Sequence, residues 1–347
     1  MNRNFDCIDG NMDVLMYDNT IKKVRDLKRD DAVYAISYDG EDFRYIKGNV
    51  LEIHKRKTGA IRVTLGDGRS LVSSPGHQWL TQAGWQFAFD NGAIKENVIY
   101  LAEDTKMFGF AVNLAENYRE TKLYMAGYII SLEIYGRSLV PLHTGEYADY
   151  VLVDREVAKR LYHFLTYFGI DVTLSDVFAN DKYTNEYIET KKIRASYKDL
   201  IRFSEKYAKY REEPEFVRGF LAGVYDSDGT TNPITKSISS PRQEYLDVLR
   251  KGMELYDFQY SYNSEFMEVS LMGGPTELIR FYYIFTPVCT RPVENLTVRN
   301  RRLDNIRIVN IEEIKSDDLF EVTTTSRNFF ANGIVCHDCI TGLVGVR

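Results

Sequence analysis

The stretch that decides the fold lies near the C-terminal end and reads Leu319-Phe320-Glu321-Val322-Thr323-Thr324-Thr325, then Phe329-Phe330-Ala331-Asn332-Gly333-Ile334-Val335-Cys336-His337-Asp338-Cys339. Two short β-type runs flank the Asn-Gly pair, so the sequence predicts a strand, a tight turn and a second strand. The predicted hairpin ends in an imidazole, a carboxyl group and a thiol, which together form a reactive set. Only eight residues follow Cys339, so its chemical partner is expected elsewhere in the chain.

Length and composition favour a two-domain protein. The chain has 347 residues and 44% hydrophobic content, enough for two cores. It contains no apolar run long enough for a transmembrane helix and no apolar segment near Met1, so we expect a cytoplasmic protein without a membrane partner. We also expect a monomer. The net charge of −6 argues against nucleic-acid binding over the whole surface, while a local basic groove stays open. In that compartment reduced thiols are expected for all four cysteines, Cys7, Cys289, Cys336 and Cys339.

The organisation of the chain alternates between β and helical patterns. Residues 7 to about 105 contain short strand-like runs with tight turns, and β character returns after Leu303. We therefore predict one β module, residues 7–108 and 304–338, interrupted by an α+β insert at 109–303. Helical periodicity in the insert predicts helices at Leu123–Glu133, Glu156–Phe168, Pro214–Asp226, Gln243–Tyr256 and Pro275–Phe285.

The insert contains a weak internal repeat. Ala126-Gly127 opens one helix-containing pattern, and Ala222-Gly223 opens a similar one about 96 residues later. Repeats of this kind predict a pseudo-symmetric domain built from two related halves.

Two further segments carry reactive side chains in the N-terminal part of the β module. Cys7 precedes the first strand-like run, and Ser74-Pro75-Gly76-His77 follows a predicted hairpin. Alone, Cys7 is more simply explained as a small buried hydrophobe and His77 as a surface loop residue. The complete set at opposite ends of one β module favours a shared reactive site.

These segments resemble the sequence motifs of inteins. Cys7-Ile8-Asp9-Gly10 is similar to the N-terminal motif of that family. The segment Ser74–His77, together with Thr81 and Gly84-Trp85, is similar to its second motif. Phe329 to Cys339 resembles the C-terminal motifs. The resemblance implies a Hint-type horseshoe fold and excision of Cys7 to Asp338. Residues 1–6 and 339–347 would then be remnants of the host protein, acting in cis as the exteins.

The resemblance also implies a role for each residue of the set. Cys7 would attack the carbonyl carbon of Asp6 to form a thioester, and Cys339 would capture that acyl group. His77 would protonate the leaving nitrogen, while Ser74 would hydrogen-bond the same site. His337 would polarise the Asp338 carbonyl group, and Glu321, where the family commonly has Asp, would orient or deprotonate Cys339. No cofactor is implied for splicing.

Deprotonation of the thiol cannot supply most of the rate. A thiol with a pKa of about 8.5 needs only about 2 kcal/mol for full ionisation at neutral pH. Breaking an amide bond demands far more. Polarisation of the Asp6-Cys7 peptide, protonation of its nitrogen and close positioning of the two chain ends are therefore expected to dominate.

Asp338 departs from the pattern of the family, whose members usually end in Asn. The Asn amide nitrogen attacks its own carbonyl carbon to form a succinimide, and Asp has no such nitrogen. Cyclisation through Asp338 would require a less favourable anhydride. Three outcomes stay open: slow splicing, N-terminal cleavage alone, or a stalled precursor.

Cys336 and Cys339 also form a Cys-x-x-Cys pair, which is typical of zinc and redox sites. A zinc site would need two more ligands, and the sequence contains no second pair at ligand spacing. A redox pair would be expected to open a helix after a strand, whereas this pair follows a hairpin. Both alternatives are less favoured than the splicing interpretation.

The insert resembles homing endonucleases of the LAGLIDADG type. Leu221 to Gly229 is close to the nonapeptide signature, and the resemblance makes Asp228 a ligand of a divalent metal, Mg²⁺ if the nuclease is active. In the first copy, Met125 to Glu133, the acid falls one position late, at Glu133. One position on a helix is a rotation of about 100°. A simpler interpretation is a helix that ends in an acidic cap.

Charge in the insert argues for weak DNA binding. Residues 111–300 carry 23 Lys and Arg against 27 Asp and Glu, a net charge of −4, whereas a duplex-binding surface needs several phosphate contacts. The basic segment Lys191–Arg211, with Lys191, Lys192, Arg194 and Lys198, is either a track for duplex DNA or a solvated helix face. We expect a homing-endonuclease fold with weakened or lost activity. A non-catalytic metal-binding or interaction protein is the remaining alternative.

Overall fold

The structure, a computed structural model, describes residues 6–38, 42–89, 99–110, 118–135, 146–152, 154–180, 187–228, 237–239, 243–289, 297–299, 304–316 and 318–339. Its helices are α1 Lys122–Tyr135, α2 Arg155–Tyr167, α3 Tyr197–Tyr207, α4 Pro214–Asp228, α5 Gln243–Leu255 and α6 Gly274–Phe285. Its strands are β1 Ile8–Asp9, β2 Asp13–Leu15, β3 Ile21–Lys23, β4 Ala32–Tyr38, β5 Asp42–Arg56, β6 Ala60–Leu65, β7 Ser70–Ser73, β8 Gln78–Thr81, β9 Gly84–Phe87, β10 Lys106–Gly109, β11 Tyr147–Leu152, β12 Val172–Asn180, β13 Tyr187–Ser196, β14 Ser237–Ser239, β15 Tyr260–Asn263, β16 Glu268–Leu271, β17 Thr297–Arg299, β18 Asp304–Ile314, β19 Leu319–Thr324, β20 Asn328–Ala331 and β21 Ile334–His337.

The chain divides into two compact units. One unit, here called the terminal unit, combines Met1–Asn117 with Glu294–Arg347, and the central unit is Tyr118–Val293. Both ends of the chain therefore belong to the same unit. Across the described ranges, none of the helices combines the length and apolarity needed to cross a membrane.

The terminal unit is built from antiparallel strands, which confirms the predicted β character of both end segments. Within it β19 pairs with β5 on one side and with β1 on the other, and β1 also pairs with β7. Strand β6 illustrates why these segments form sheet, because its apolar side chains are buried while Arg62 between them is exposed. The core below includes Val14, Leu71, Trp79 and Ile308.

The C-terminal hairpin has the predicted turn. Ala331 pairs with Ile334, so Asn332 and Gly333 form a two-residue loop with φ values of 47° and 76°. Positive φ at both positions is the requirement of a type I′ turn, which explains the Asn-Gly pair. The Asn332 side chain also accepts a hydrogen bond from the Asp13 N–H at 2.7 Å and donates one to the Ser70 carbonyl oxygen at 2.8 Å. The turn is thereby fastened to two N-terminal strands.

Two substitutions at Asn332 distinguish the conformational requirement of the turn from the contribution of the two side-chain hydrogen bonds. Asn332→Gly keeps the positive φ but loses both side-chain hydrogen bonds, at a cost of about 1 kcal/mol for each bond. Asn332→Ala adds the strain of a left-handed alanine, about 1–2 kcal/mol more. Chemical denaturation should rank the stability of the terminal unit as wild type, then Gly, then Ala. Equal stability of all three proteins would contradict the fastening role.

The central unit contains the same arrangement twice. Its described elements follow the order helix, strand, helix, strand, strand, helix from α1 to α3 and again from α4 to α6. Each half has a three-stranded antiparallel sheet of the same order, β11-β13-β12 and β14-β16-β15. The predicted internal repeat is therefore confirmed at the level of topology. Helix α3, absent from the predicted helices, lies inside the basic segment.

Helices α1 and α4 pack closely through small residues. A Cβ atom at Gly127 would overlap the carbonyl oxygen of Phe216, and one at Gly219 would overlap the carbonyl oxygen of Tyr124. The two overlaps are reciprocal, since each glycine of one helix meets the backbone of the other. Backbone cannot move aside as a side-chain tip can, so glycine is required at both positions.

Alanine at these two glycines should destabilise the central unit. In an ordinary helix Gly→Ala stabilises by about 0.5–1 kcal/mol, whereas overpacking costs about 1–3 kcal/mol or more. Gly127→Ala and Gly219→Ala should therefore lower the melting temperature. Gly252→Ala in α5 is the matched control, because the atoms nearest to its Cβ atom would be side-chain methyl groups of Leu221 and Val217 instead of backbone. A control that loses as much stability as Gly127→Ala would contradict the backbone explanation.

Candidate functional site

The segments that contain the two predicted cleavage points both lie beside strand β19. Ile8 lies opposite Phe320 and Asp9 opposite Leu319 in the antiparallel pairing of β1 with β19. Near the other end of the chain, the N–H of Cys339 donates a hydrogen bond to the carbonyl oxygen of Val322 at 2.9 Å. The two predicted cleavage points therefore meet on one strand, although 332 residues separate them in sequence.

Cys7 is fixed by reciprocal hydrogen bonds with Ser74. The N–H of Cys7 donates to Ser74 Oγ at 2.9 Å, and the N–H of Ser74 donates to the Cys7 carbonyl oxygen at 2.8 Å. The Cys7 side chain is fully buried and packs with Ala60 and Leu319. The peptide nitrogen that would leave in the first step is thus held by a hydroxyl group.

The Cys339 thiol lies against the carbonyl group that precedes Cys7. Its Sγ contacts the Asp6 carbonyl oxygen. A hydrogen bond with the Cys7 thiol, together with burial and the Asp6 charge, raises the pKa of Cys339 well above its usual value. The Cys339 thiol is therefore held more firmly in its protonated form than a solvent-exposed cysteine.

His77 is buried beside the same residue. Its Nδ1 contacts Oδ1 of Asp6, and its ring packs edge-on against Trp79 with centroids 4.8 Å apart. The N–H of His77 donates to the Ser74 carbonyl oxygen at 3.1 Å, which ties the imidazole to the loop that holds Cys7. Cys7, Ser74, His77 and Cys339 are thus brought together around Asp6.

His337 and Asp338 form the other part of the site. His337 Nδ1 donates a hydrogen bond to the Asp338 carbonyl oxygen at 2.6 Å. Asp338 Oδ2 accepts one from the N–H of Thr324 at 2.8 Å. Burial raises the pKa of the Asp338 carboxyl group above its usual value of 3.8, although the Thr324 N–H opposes the shift. The carboxyl group is thus held more readily in its neutral form.

Glu321 is engaged by a cation on the neighbouring strand. Its Oε2 accepts a hydrogen bond from Arg56 Nε at 2.6 Å. The reason is strand pairing: β5 lies beside β19 and carries Arg56 within reach of the carboxylate. This ion pair differs from the expectation that Glu321 orients or deprotonates Cys339, because it directs the carboxylate to Arg56.

Sequence reasoning missed Arg56, Thr324 and the carboxylate of Asp6. Arg56 and Thr324 belong to ordinary strand patterns, and only the pairing of β5, β19 and the C-terminal segment gives them partners. Asp6 carries one signal that was available, since an acidic residue stands immediately before the predicted cleavage point. Residues 1–5 and 340–347, the rest of the predicted remnants, lie outside the described residues.

The Cys-x-x-Cys pair consists of free thiols. Cys336 Sγ lies 3.5 Å from the Phe329 carbonyl oxygen inside the hairpin, and burial raises the pKa of this thiol well above its usual value. Among the side chains that the structure describes, no group of three or more His, Cys, Asp and Glu could hold a metal ion.

The acids predicted for the central unit fall at helix ends. Asp228 ends α4, and Glu133 lies near the end of α1; both side chains lie outside the described residues. The neighbouring Asp226 is buried and has structural partners: Tyr128 Oη donates at 2.6 Å and the Cys289 N–H at 2.9 Å. Burial raises the pKa of Asp226. Asp226 therefore holds the segment after α6 in place through the hydrogen bond from the Cys289 N–H and is not exposed to solvent.

Three of the four predicted DNA-binding cations have acidic partners. Lys192 and Arg194 both bind Asp149, at 2.8 Å and 2.7 Å, and Lys191 pairs with Asp176. The hydrogen bond from Arg194, with further help from Lys192, lowers the pKa of Asp149 to about 2. Lys198 borders an open cavity of about 580 Å³ at the start of α3. The charge of the basic strand is therefore largely neutralised from within.

Comparison with known proteins gives structural neighbours only. No family model and no curated protein matches the chain. The Ssp DnaB mini-intein variant M86 is 10% identical with a TM-score of 0.32, over 99% of this chain and 100% of that one. The homing endonuclease I-DmoI, solved with DNA and Mn, is 11% identical with a TM-score of 0.34, over 48% of this chain and 97% of that one.

A third neighbour is the full-length DUF199/WhiA protein from Thermatoga maritima. It is 14% identical with a TM-score of 0.35, and the match covers 50% of this chain and 58% of that protein. Identities and TM-scores at this level are too low to assign the chain to a family.

The raised pKa of Asp338 predicts how stability depends on pH. A carboxyl group whose pKa is raised in the folded state destabilises that state as pH rises from 3.8 through the raised value. Asp338→Asn should therefore increase the melting temperature at pH 7, by about 2–4 °C per kcal/mol, and the increase should vanish below about pH 3.8. Calorimetry on chains with Cys7→Ala and Cys339→Ala, shown to be intact by mass spectrometry, makes the comparison. A lower melting temperature for Asp338→Asn at pH 7 would contradict it.

Proposed function

We propose that this chain is an intein precursor that catalyses its own protein splicing, with residues 7–108 and 304–338 as the Hint-type splicing domain. The observation that carries the proposal is the contact of Cys339 Sγ with the Asp6 carbonyl oxygen, beside the Cys7 thiol. Acyl transfer to Cys339 requires that proximity.

In the first step Cys7 Sγ attacks the Asp6 carbonyl carbon. A sulfur–carbon bond forms, the peptide bond to the Cys7 nitrogen breaks, and one proton passes from the thiol to that nitrogen. The hydrogen bond between the Cys7 N–H and Ser74 Oγ fixes the peptide group for this attack. Such positioning can supply about 7–11 kcal/mol of the barrier, far more than ionising the thiol.

In the second step Cys339 Sγ attacks the thioester and Cys7 leaves. The Cys7 thiol lies close enough to Cys339 to raise the pKa of that thiol, so the proton of Cys339 can pass directly to the departing sulfur, and the reaction exchanges one thioester for another. Direct exchange needs no carboxylate base, which agrees with the pairing of Glu321 with Arg56. The acyl group ends on Cys339 as a branch.

The third step is the one that Asp338 impairs. His337 Nδ1 is hydrogen-bonded to the Asp338 carbonyl oxygen and would polarise it. Asp338 has no side-chain amide nitrogen to attack its own carbonyl carbon, so the succinimide cannot form and its carboxyl group can cyclise only to a less favourable anhydride. Cyclisation should therefore be slow, and the thioester and branched forms should accumulate.

Splicing between longer reporter flanks tests the proposal. Asp338→Asn should increase ligated product about tenfold or more, because the amide nitrogen permits succinimide formation. Cys7→Ala should abolish N-terminal cleavage, while Cys339→Ala should allow cleavage but no ligation. Intact mass spectrometry with added hydroxylamine measures each species. Equal ligation by the parent chain and the Asp338→Asn chain would contradict the assigned last step.

A second function is favoured by the duplicated topology of the central unit. Two similar halves joined through the close α1–α4 contact are an arrangement suited to duplex DNA, and residues 109–303 would form a LAGLIDADG-type endonuclease. Asp228 and Glu133 would be the residues to hold Mg²⁺. The pairing of Lys192 and Arg194 with Asp149 favours weak activity.

Nicking of duplex DNA tests this second function. Incubation of a plasmid library with the chain and Mg²⁺ should give little or no cleavage, and any cleavage should disappear in Asp228→Ala. Cys7→Ala is the control, because it removes splicing and leaves the central unit unchanged. Cleavage that survives Asp228→Ala would exclude Asp228 as a metal ligand.

A further inference from the structure

Asp6 contributes more than its carbonyl group to the site. Its carboxylate Oδ1 contacts His77 Nδ1, and its side chain is only 17% exposed. The same residue therefore presents the carbonyl oxygen to Cys339 and the carboxylate to His77. In the proposed reaction this residue belongs to the host protein and not to the excised segment.

The other ring nitrogen of His77 is available for chemistry. His77 is 1% exposed, and among the described residues neither of its ring nitrogens has a hydrogen-bond partner, but Nδ1 contacts Asp6 Oδ1 and Nε2 has no such contact. A buried imidazole nitrogen without a partner is costly, so such an atom needs an explanation. Contact of Nδ1 with a carboxylate favours the proton on Nδ1, which leaves Nε2 free to take up or release a proton.

We propose that Asp6 is a positioning residue whose carboxylate orients His77 for proton transfer, so that the site selects an acidic residue immediately before the cleavage point. The inference rests on the splicing function proposed above. It assigns part of the site to the substrate, because the host segment supplies the carboxylate. A host protein with a neutral residue at this position would be spliced slowly.

The proton transfer that Asp6 supports balances without another reactant. Cys7 Sγ gains a bond to the Asp6 carbonyl carbon, the nitrogen of Cys7 loses its bond to that carbon, and the thiol proton moves to the nitrogen. His77 relays this proton through Nε2 and returns to its starting state. The carboxylate stabilises the imidazolium cation that exists during the relay.

The chemistry of the contact predicts which residues are accepted. Glu keeps the charge and can reach Nδ1 with a shifted backbone or a bent side chain. Asn keeps the shape but not the charge, and its amide oxygen can accept a hydrogen bond from the Nδ1–H without stabilising a cation. Asp13 is a matched control, since its side chain is also 17% exposed but its carboxylate pairs with Lys23 at 2.7 Å instead of with a histidine.

The first test measures thioester formation. In a Cys339→Ala chain, hydroxylamine cleaves only the thioester formed at Cys7, so the cleavage rate reports the first step. Asp6→Asn should slow cleavage about tenfold or more, Asp6→Glu should restore a rate within about threefold of the parent chain, and Asp13→Asn should leave it unchanged. Equal rates for the parent chain and Asp6→Asn would overturn the inference.

The second test measures directly which nitrogen of the His77 ring carries the proton. In an unreactive chain with Cys7→Ala and Cys339→Ala, ¹⁵N spectra should show His77 with the proton on Nδ1, and Asp6→Ala, which removes the acceptor, should change that signature. A merely structural role of Asp6 would not fix the tautomer. A His77 ring with its proton on Nε2 in the presence of Asp6 would overturn the inference, and this measurement does not depend on turnover.

Failure of the inference can be told apart from failure of the splicing proposal. Cleavage that persists after Cys7→Ala would count against splicing itself. Cleavage that requires Cys7 but ignores the residue at position 6 would leave splicing intact and remove the selecting role of Asp6.

Discussion

The pairing of β19 with both ends of the chain is the constraint on which the site depends. Strand β1 pairs with β19, and the backbone of Cys339 donates to Val322 on the same strand. A slip of one residue in a strand moves each residue by about 3.3 Å and turns every side chain to the other face. Such a slip would separate Cys339 from the Asp6 carbonyl group. Register in the sheet is therefore a chemical requirement as well as a folding one.

Burial determines how protons move in this site. The pKa of Cys339 is raised by its hydrogen bond to Cys7 and by burial, and that of Asp338 is raised by burial. Groups that resist ionisation exchange protons with their direct neighbours more readily than with water. The thiols of Cys7 and Cys339 are such a neighbour pair. Exchange of a proton between these two thiols forms no net charge.

Local patterns in the sequence predict local structure well. The Asn332-Gly333 turn needs only two residues with positive φ, and the long helices need only their own periodicity. Side-chain contacts between strands are harder to predict from the sequence, because they depend on strand register. Glu321 meets Arg56 only through the pairing of β19 with β5, and Asp149 meets Arg194 only through that of β11 with β13. Helix α3 could have been predicted, because Leu200, Phe203 and Tyr207 recur at helical spacing and form its buried side.

The central unit can occupy the middle of the sequence because its own ends are held together. In the terminal unit Gly109 of β10 pairs with Asp304 of β18, so about 190 residues connect two strands that a short hairpin loop could join. A disordered loop of that length would cost about 3 kcal/mol more to close than a short one. The central unit avoids much of this cost, since Tyr118 at its start packs against Tyr283 and Arg218 bridges Arg119 and Ile284.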